Sequence, residues 1–266
     1  MDNTVKEPLI HLSKREDMSF GKKWLVRIIA ILLSLIVCAG FIFIIIKMNP
    51  VEVYEGIVEG AVGTGRRFWV TARDALTLLC VAVAVTPAFK MKFWNIGAEG
   101  QILMGCVASA AMMIYAGNAL PTGLLLVLMF VCSFIAGGIW GIIPAFFKAR
   151  WNTNETLFTL MLNYVAMQVV TFCIVYWENP AGSNSVGIIN APTRAGWFPQ
   201  LFGLDYGWNL AIVLLLTVLM FIYMKRTKHG YEIAVVGESE NTARYAGINV
   251  AKVIVRTVGI LSLIHI

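Results

Sequence analysis

The chain has 266 residues, of which 59% are hydrophobic and only 14% charged, with a mean hydropathy of +0.76; a soluble domain carries roughly 25% charged residues. The charges cluster and leave long uncharged windows, which excludes an ordinary soluble domain and indicates a membrane protein. The formal net charge of +6 does not imply a nucleic-acid partner, because the basic residues sit at the ends of apolar runs and form no contiguous patch.

Residues 1–23 read as an N-terminal tail. A bilayer-crossing helix needs about 20 mostly apolar residues. The first such run is 24–46, interrupted only by Arg27 near its start. It is too long for a signal-peptide core and no small-residue cleavage site follows it, so it reads as an uncleaved span. Further runs follow at 69–89, 96–116, 121–147, 157–177 and 208–224, and another begins near Val253. The expected fold is all-α: a polytopic membrane protein with six complete transmembrane helices and the start of a seventh. Trp24, Trp69, Trp94, Trp151, Trp177 and Trp208 fall at the expected span ends, where interfacial anchors belong. Cys38, Cys80, Cys106, Cys132 and Cys173 all fall inside apolar runs and show no metal spacing, so they read as small buried hydrophobes.

Basic residues orient the spans. With the N-terminus cytoplasmic, sixteen lie on the inside: Lys6, Lys14, Arg15, Lys22, Lys23 and Arg27 at the start; Lys90, Lys92, Lys148 and Arg150 at two turns; Lys225, Arg226, Lys228, Arg244, Lys252 and Arg256 near the end. The outside then holds five, Lys47, Arg66, Arg67, Arg73 and Arg194. The outer loop 178–207 is rich in Pro, Gly and Asn and is expected to have little regular structure. The inner loop 225–252 carries one short helical pattern. The run that begins near Val253 would need to extend to about residue 272 to cross a bilayer. The terminal LSLIHI, 261–266, can be encoded by codons resembling the end of a sequencing-library adapter. The expectation is therefore a C-terminally truncated chain whose last six residues are read-through, and His265 receives no role.

No GxxxxGK[ST], HExxH or GxSxG pattern occurs. The three histidines, His11, His229 and His265, fall in a tail, a loop and the suspect end. A membrane-embedded hydrolase or metalloenzyme lacks its usual parts, and no metal site is expected. Transporters, channels and scaffolds remain.

Three polar segments interrupt the apolar pattern. The first is FWNIGAEGQ, 93–101. An ionisable residue close to the hydrocarbon usually faces a bundle interior or an aqueous path. Asn95 and Glu99 are four apart, which on a helix places them on one face. Gly97 and Gly100 permit close backbone approach or a break. Two readings stand: a broken or re-entrant segment bordering a translocation path, or a cytoplasmic turn with Glu99 in the first turn of the next helix, favoured by its dipole. In the second segment, NTNETLFTLMLNY at 152–164, Thr153 or Asn154 can cap the fifth span, with Glu155 in its first turn. Thr156, Thr159 and Asn163 recur along one helical face, with Gln168 further on, either as interhelical hydrogen-bond glue or as the wall of a substrate route. In the third, the inner loop, Ser239 can cap a short helix from about Glu240 to Ala246, with Gly247 as its stop. It suits either an ordinary loop helix or a knob for a partner's groove.

Together NIGAEGQ, NETLFTLMLNY and GYEIAVVGESENTARYAGINV resemble the permease subunits of bacterial ABC importers of the nucleoside and simple-sugar class, relatives of the ribose and branched-chain amino-acid permeases. The resemblance runs from about residue 65 to 256, within a transmembrane permease domain at 24–260 that is shorter than full members. NIGAEGQ is closer to nucleoside than to ribose permeases, so purine nucleosides are the leading cargo. The resemblance implies a multi-pass protein of the bacterial inner (cytoplasmic) membrane, surrounded by lipid. It also implies three partners: an ATP-binding subunit that hydrolyses ATP, a second permease subunit and an extracytoplasmic substrate-binding lipoprotein. No cofactor is expected on this chain and no enzyme activity of its own. Glu238, Ser239, Ala243, Arg244, Tyr245 and Gly247 would form the loop coupled to the ATPase. Asn95, Glu99 and Gln101 would lie near the translocation path, with Asn163 and Tyr164 as candidates for cargo contact because amides and aromatic faces suit a nucleoside. The implied mechanism is alternating access driven by closure of the ATPase pair. An ion-coupled secondary transporter, with Glu99 as its ion site, and a membrane scaffold are the competing classes.

Overall fold

A computed structural model describes residues 19–201, 203 and 206–261. Residues 262–266 of the expected adapter read-through (261–266), with His265, and residues 1–18 of the expected tail (1–23), with His11, lie outside the described residues. Among the described residues there are ten α-helices: α1 (Phe20–Phe41, continued by a π-helical turn, Ile42–Ile46), α2 (Pro50–Val62), α3 (Gly65–Lys90), α4 (Ala98–Ala116), α5 (Thr122–Trp151), α6 (Glu155–Tyr176), α7 (Gly207–Arg226), α8 (Lys228–Glu238), α9 (Glu240–Tyr245) and α10 (Val250–Leu261). Six of these segments are long and apolar enough to cross a membrane: Phe20–Ile46, Gly65–Lys90, Ala98–Ala116, Thr122–Trp151, Glu155–Tyr176 and Gly207–Arg226. They are the six spans expected from hydropathy. The second extends four residues earlier than expected and the fourth four residues later, because helical pairing continues past the apolar stretch into flanking polar turns.

The chain divides into two compact units, 1–69 and 70–266. In the first, α1 buries none of its residues, as expected of a span apolar on every side and covered by lipid. Here α2 is a helix that hydropathy did not reveal. Asn49 caps it by accepting from the Val51 amide at 3.1 Å, Pro50 sits in its first turn and Glu52 follows. Tyr54 donates to the Leu35 carbonyl at 2.6 Å, tying α2 back to α1.

In the second unit α4 packs on α5 and α6, and α10 lies along α5. Small residues make this close approach possible: Gly100 and Gly105 are buried on α4, and Gly137, Gly138 and Gly141 on α5. Ser109 and Ser133 share a short hydrogen bond across the α4–α5 seam, and Ser133 also donates to the Gly105 carbonyl at 3.0 Å. The apolar core is concentrated where α3 ends and α8 to α10 gather. It includes Ala84, Ala88, Phe93, Ile233, Val236, Val253, Ile254 and Val258. The described residues of the loop between α6 and α7 form no helix, in line with the expected lack of regular structure, yet the loop is pinned. Asn190 donates to the Met113 and Ala195 carbonyls at 2.8 and 3.1 Å, and the Trp197 indole donates to the Ile189 carbonyl at 3.0 Å.

Candidate functional site

The stretch 91–97 is a turn, and α4 begins at Ala98. This corrects the shared-face expectation for Asn95 and Glu99. Asn95 lies before the helix, where its Oδ1 accepts from the Gly97 amide at 3.0 Å and shapes the turn. Glu99 stands exposed in the first turn of α4, where the helix dipole favours a carboxylate. Of the two readings of this segment, the geometry is that of a turn followed by a complete helix.

The turn is clamped by α6. The Asn163 Oδ1 accepts from the Gly100 amide at 2.9 Å, and its Nδ2 donates to the Ile96 carbonyl at 3.0 Å. Contact is so close that a Cβ on Gly100 would stand 2.8 Å from Asn163 Oδ1, and one on Gly97 would stand 2.9 Å from the Thr159 Cβ. Thr159 turns its hydroxyl back to the Glu155 carbonyl at 2.8 Å and presents its carbon side to the glycine. Gln101 is buried against α5, where a Cβ on Gly141 would overlap its amide nitrogen. Asn95, Gln101 and Asn163 therefore belong to one buried joint among α4, α5 and α6. Tyr164, by contrast, is 60% exposed. Asn163 acts as interhelical glue: both ends of its amide are engaged by backbone.

A second link flanks the joint. Asn154 caps α6 by accepting from the Leu157 amide at 3.2 Å, so of the two cap candidates Asn154 is the one used. Lys148, in the last turn of α5, pairs with Glu155, in the first turn of α6, at 3.0 Å, and both side chains are largely buried. Each charge also sits at the helix end its sign favours. Sequence reasoning counted Lys148 only for orientation; opposite charges seven apart across a helix break were the available signal.

The 225–252 segment is seated on the same end of the bundle. Ser239 caps α9 by accepting from the Thr242 amide at 3.3 Å, Ala246 follows the helix, and Gly247 takes a left-handed φ of 76°. Ala243 is fully buried, whereas Arg244 and Tyr245 point outward, Tyr245 being 94% exposed. Before it stands α8, which sequence reading missed. Thr227 caps α8 through the Gly230 amide at 3.1 Å. Its buried face is His229, Gly230, Ile233, Val236 and Gly237, a 3–4 spacing that was legible but obscured by two glycines of low helix propensity. Those glycines are required by contact. A Cβ on Gly230 would overlap the Met224 carbonyl, and one on Gly237 would overlap the Lys90 carbonyl at the end of α3. Lys92 reaches the Glu238 carbonyl at 3.5 Å. The segment 238–247 is thus bolted through Gly237 and Lys92 to the same turn that Asn163 clamps from the other side.

Among the described residues no group of three His, Cys, Asp or Glu side chains could hold a metal ion. His229 is buried, with its Nε2 3.1 Å from the Thr257 hydroxyl. Burial, and then the nearby Arg256, hold its pKa below the ordinary value, against a smaller opposing effect of Glu232.

Six segments long and apolar enough to cross a membrane, a buried polar joint and an exposed capped helix at one end describe a polytopic membrane protein. The chain belongs to the family described as branched-chain amino acid transport system / permease component, which matches residues 69–264. It is similar to the guanosine ABC transporter permease protein NupP of Bacillus subtilis, 29% identical over 86% of this chain and 65% of that protein. Similarity of the same degree, 29% over 88% of this chain and 66% of the relative, links it to the nucleoside ABC transporter permease protein NupB of Lactococcus lactis. The glucose ABC transporter permease protein TsgB13 of Haloferax volcanii is 27% identical over 82% of this chain and 59% of its own length. The chain therefore spans between 59% and 66% of the length of these curated relatives. No solved structure matches it.

Proposed function

We propose that the chain is the membrane-spanning permease subunit of an ATP-driven ABC importer of nucleosides, purine nucleosides first, with a simple sugar as the second choice. The observation that carries this reading is the family match across 69–264, which takes in four of the six spans whole, a fifth from Trp69 onward, and the 238–247 segment. The cargo rests on two relatives named for guanosine or nucleosides against one named for glucose. With the N-terminus cytoplasmic, as the basic-residue asymmetry favours, the α3–α4 turn, the α5–α6 turn and α8 to α10 all face the cytoplasm of a bacterial cell. There the knob at Glu238, Ser239, Ala243, Arg244, Tyr245 and Gly247 is available to an ATP-binding subunit. ATP hydrolysis belongs to that subunit; a second permease and an extracytoplasmic binding lipoprotein complete the importer.

The joint gives the knob a mechanical route. A push on α9 reaches the α3–α4 turn through Gly237 and Lys92, and passes to α6 through Asn163 and to α5 through Gln101. In this reading Asn95, Gln101 and Asn163 transmit motion, while the exposed Glu99 and Tyr164 remain the path-facing candidates.

The test is uptake of labelled guanosine by the full-length permease reconstituted with its ATPase, second permease and binding lipoprotein. ATP-dependent uptake, resistant to ionophores and competed by nucleosides better than by glucose, is the expected result. Uptake that persists without the ATPase and collapses with an ion gradient would replace this reading with a secondary transporter.

A further inference from the structure

The end of α7 and the loop before α10 line a cavity of about 540 Å³ that borders the knob at Gly247. Two helices begin at its wall. Thr227 and Lys228 open α8, and Asn249 opens α10 by accepting from the Lys252 amide at 3.0 Å. The caps occupy the amides of Gly230 and Lys252. The amides of Lys228, His229, Val250 and Ala251 have no carbonyl partner within their own helices, and both N-termini carry partial positive charge. Three cations, Lys228, Lys252 and Arg256, line the same cavity against one carboxylate, Glu232. None of the three cations forms an ion pair among the described residues.

Two lining side chains add buried polar groups with nothing to bind. His229 is 3% exposed, and its ring Nδ1 has no partner; the Tyr223 hydroxyl is likewise buried without one. Such orphans are costly in a packed protein and call for an occupant. Tyr223 lies in the last turn of span α7, so the cavity opens at the level of lipid headgroups.

We propose that this cavity is a phosphate-binding site, taking the phosphate group of an anionic phospholipid or of a soluble phosphate compound. Converging helix N-termini and basic side chains suit a tetrahedral oxyanion. Basic pockets beside transmembrane helices suit lipid phosphates equally.

The test is the melting temperature of the full-length permease in an uncharged detergent, followed by tryptophan fluorescence. Sodium phosphate or short-chain phosphatidylglycerol is titrated in, with sodium chloride at matched ionic strength as the reference. Binding to the native state raises the melting temperature with ligand concentration. A saturable rise beyond chloride is expected with at least one probe. A rise with both means that a bare phosphate group suffices; a rise with phosphatidylglycerol alone assigns the site to a lipid headgroup. The double variant Lys252→Gln/Arg256→Gln is expected to weaken the half-saturating concentration about tenfold or more. Lys228→Gln is the alternative should the double variant not fold. Lys225→Gln removes a neighbouring charge stacked on Phe221 that does not line the cavity, and should leave the titration unchanged. The proposal is overturned if neither probe exceeds chloride, if the cavity variants respond like the wild type, or if Lys225→Gln loses as much as they do.

Discussion

Replacing Gly237 by alanine should loosen the joint between α8 and the end of α3, and the size of the effect can be worked from the contacts. A Cβ there would overlap the Lys90 carbonyl oxygen and stand 3.0 Å from the Lys90 carbonyl carbon and 3.3 Å from the Met91 Cα. All three atoms are backbone, so no rotamer change relieves the overlap; α8 must move away from the end of α3. Forcing an extra methyl into a packed site costs about 1–3 kcal/mol. The better helix propensity of alanine returns about 0.5–1 kcal/mol. The net loss spans about 0–2.5 kcal/mol and centres on about 1 kcal/mol, which for a chain of this size lowers the melting temperature by roughly 2–4 °C. Gly56→Ala and Gly60→Ala, in α2, meet nothing within 4 Å and should be neutral or slightly stabilising. Thermal melts of the three variants in one detergent make the comparison, and ATP-dependent uptake should fall only in Gly237→Ala. A Gly237→Ala protein that melts at or above the wild-type temperature would refute the claim that α8 is seated on the Lys90 carbonyl.

Other consequences are open to the same assays. Asn163→Ala would strand the buried Gly100 amide and Ile96 carbonyl and should cost about 1–3 kcal/mol in thermal melts, whereas the exposed Tyr164→Phe should leave stability unchanged. Lys148→Met would leave the Glu155 carboxylate largely buried without its cation, at a cost between the surface and fully buried limits, about 1–3 kcal/mol; the double replacement Lys148→Met/Glu155→Gln should recover part of the loss. Glu99→Gln should lower guanosine uptake without loss of complex assembly on a gel-filtration column, and unchanged uptake would remove Glu99 from the path. His229 has a folded pKa below its unfolded value near 6.5. As the pH falls through 6.5 the unfolded state takes up a proton that the folded state resists, so stability drops on acidification. A melting-temperature profile from pH 7.5 to 5 should show this fall, reduced in His229→Gln.

Much of the fold was legible locally. The six spans came from hydropathy because burial in lipid requires about 20 apolar residues in a row, a property each segment carries by itself. The Ser239 cap and the Gly247 stop bracketed α9 because capping is decided within a few residues. Two shorter helices escaped. The signals for α2, Asn49-Pro50 followed by Glu52, were present but lay between two apolar runs, in a stretch for which no element was expected. For α8 the glycines argued against a helix. They are there because Met224 and Lys90 carbonyls press against the helix, a contact that no local pattern announces.

The candidate site divides the same way. The sequence by itself determined that polar groups would interrupt the spans at 93–101 and 152–164, and that the loop at 225–252 would carry a short capped helix. Only the tertiary structure decided what those groups do. Asn163 meets Ile96 and Gly100 across more than sixty residues of chain. Asn95 and Glu99, four apart, part company at a helix start, one buried and one exposed. Lys148 and Glu155 form a pair because α5 and α6 turn back on each other there. Hydropathy and capping are properties of a segment and its solvent; the partner of a buried amide or charge is set by which helices pack together.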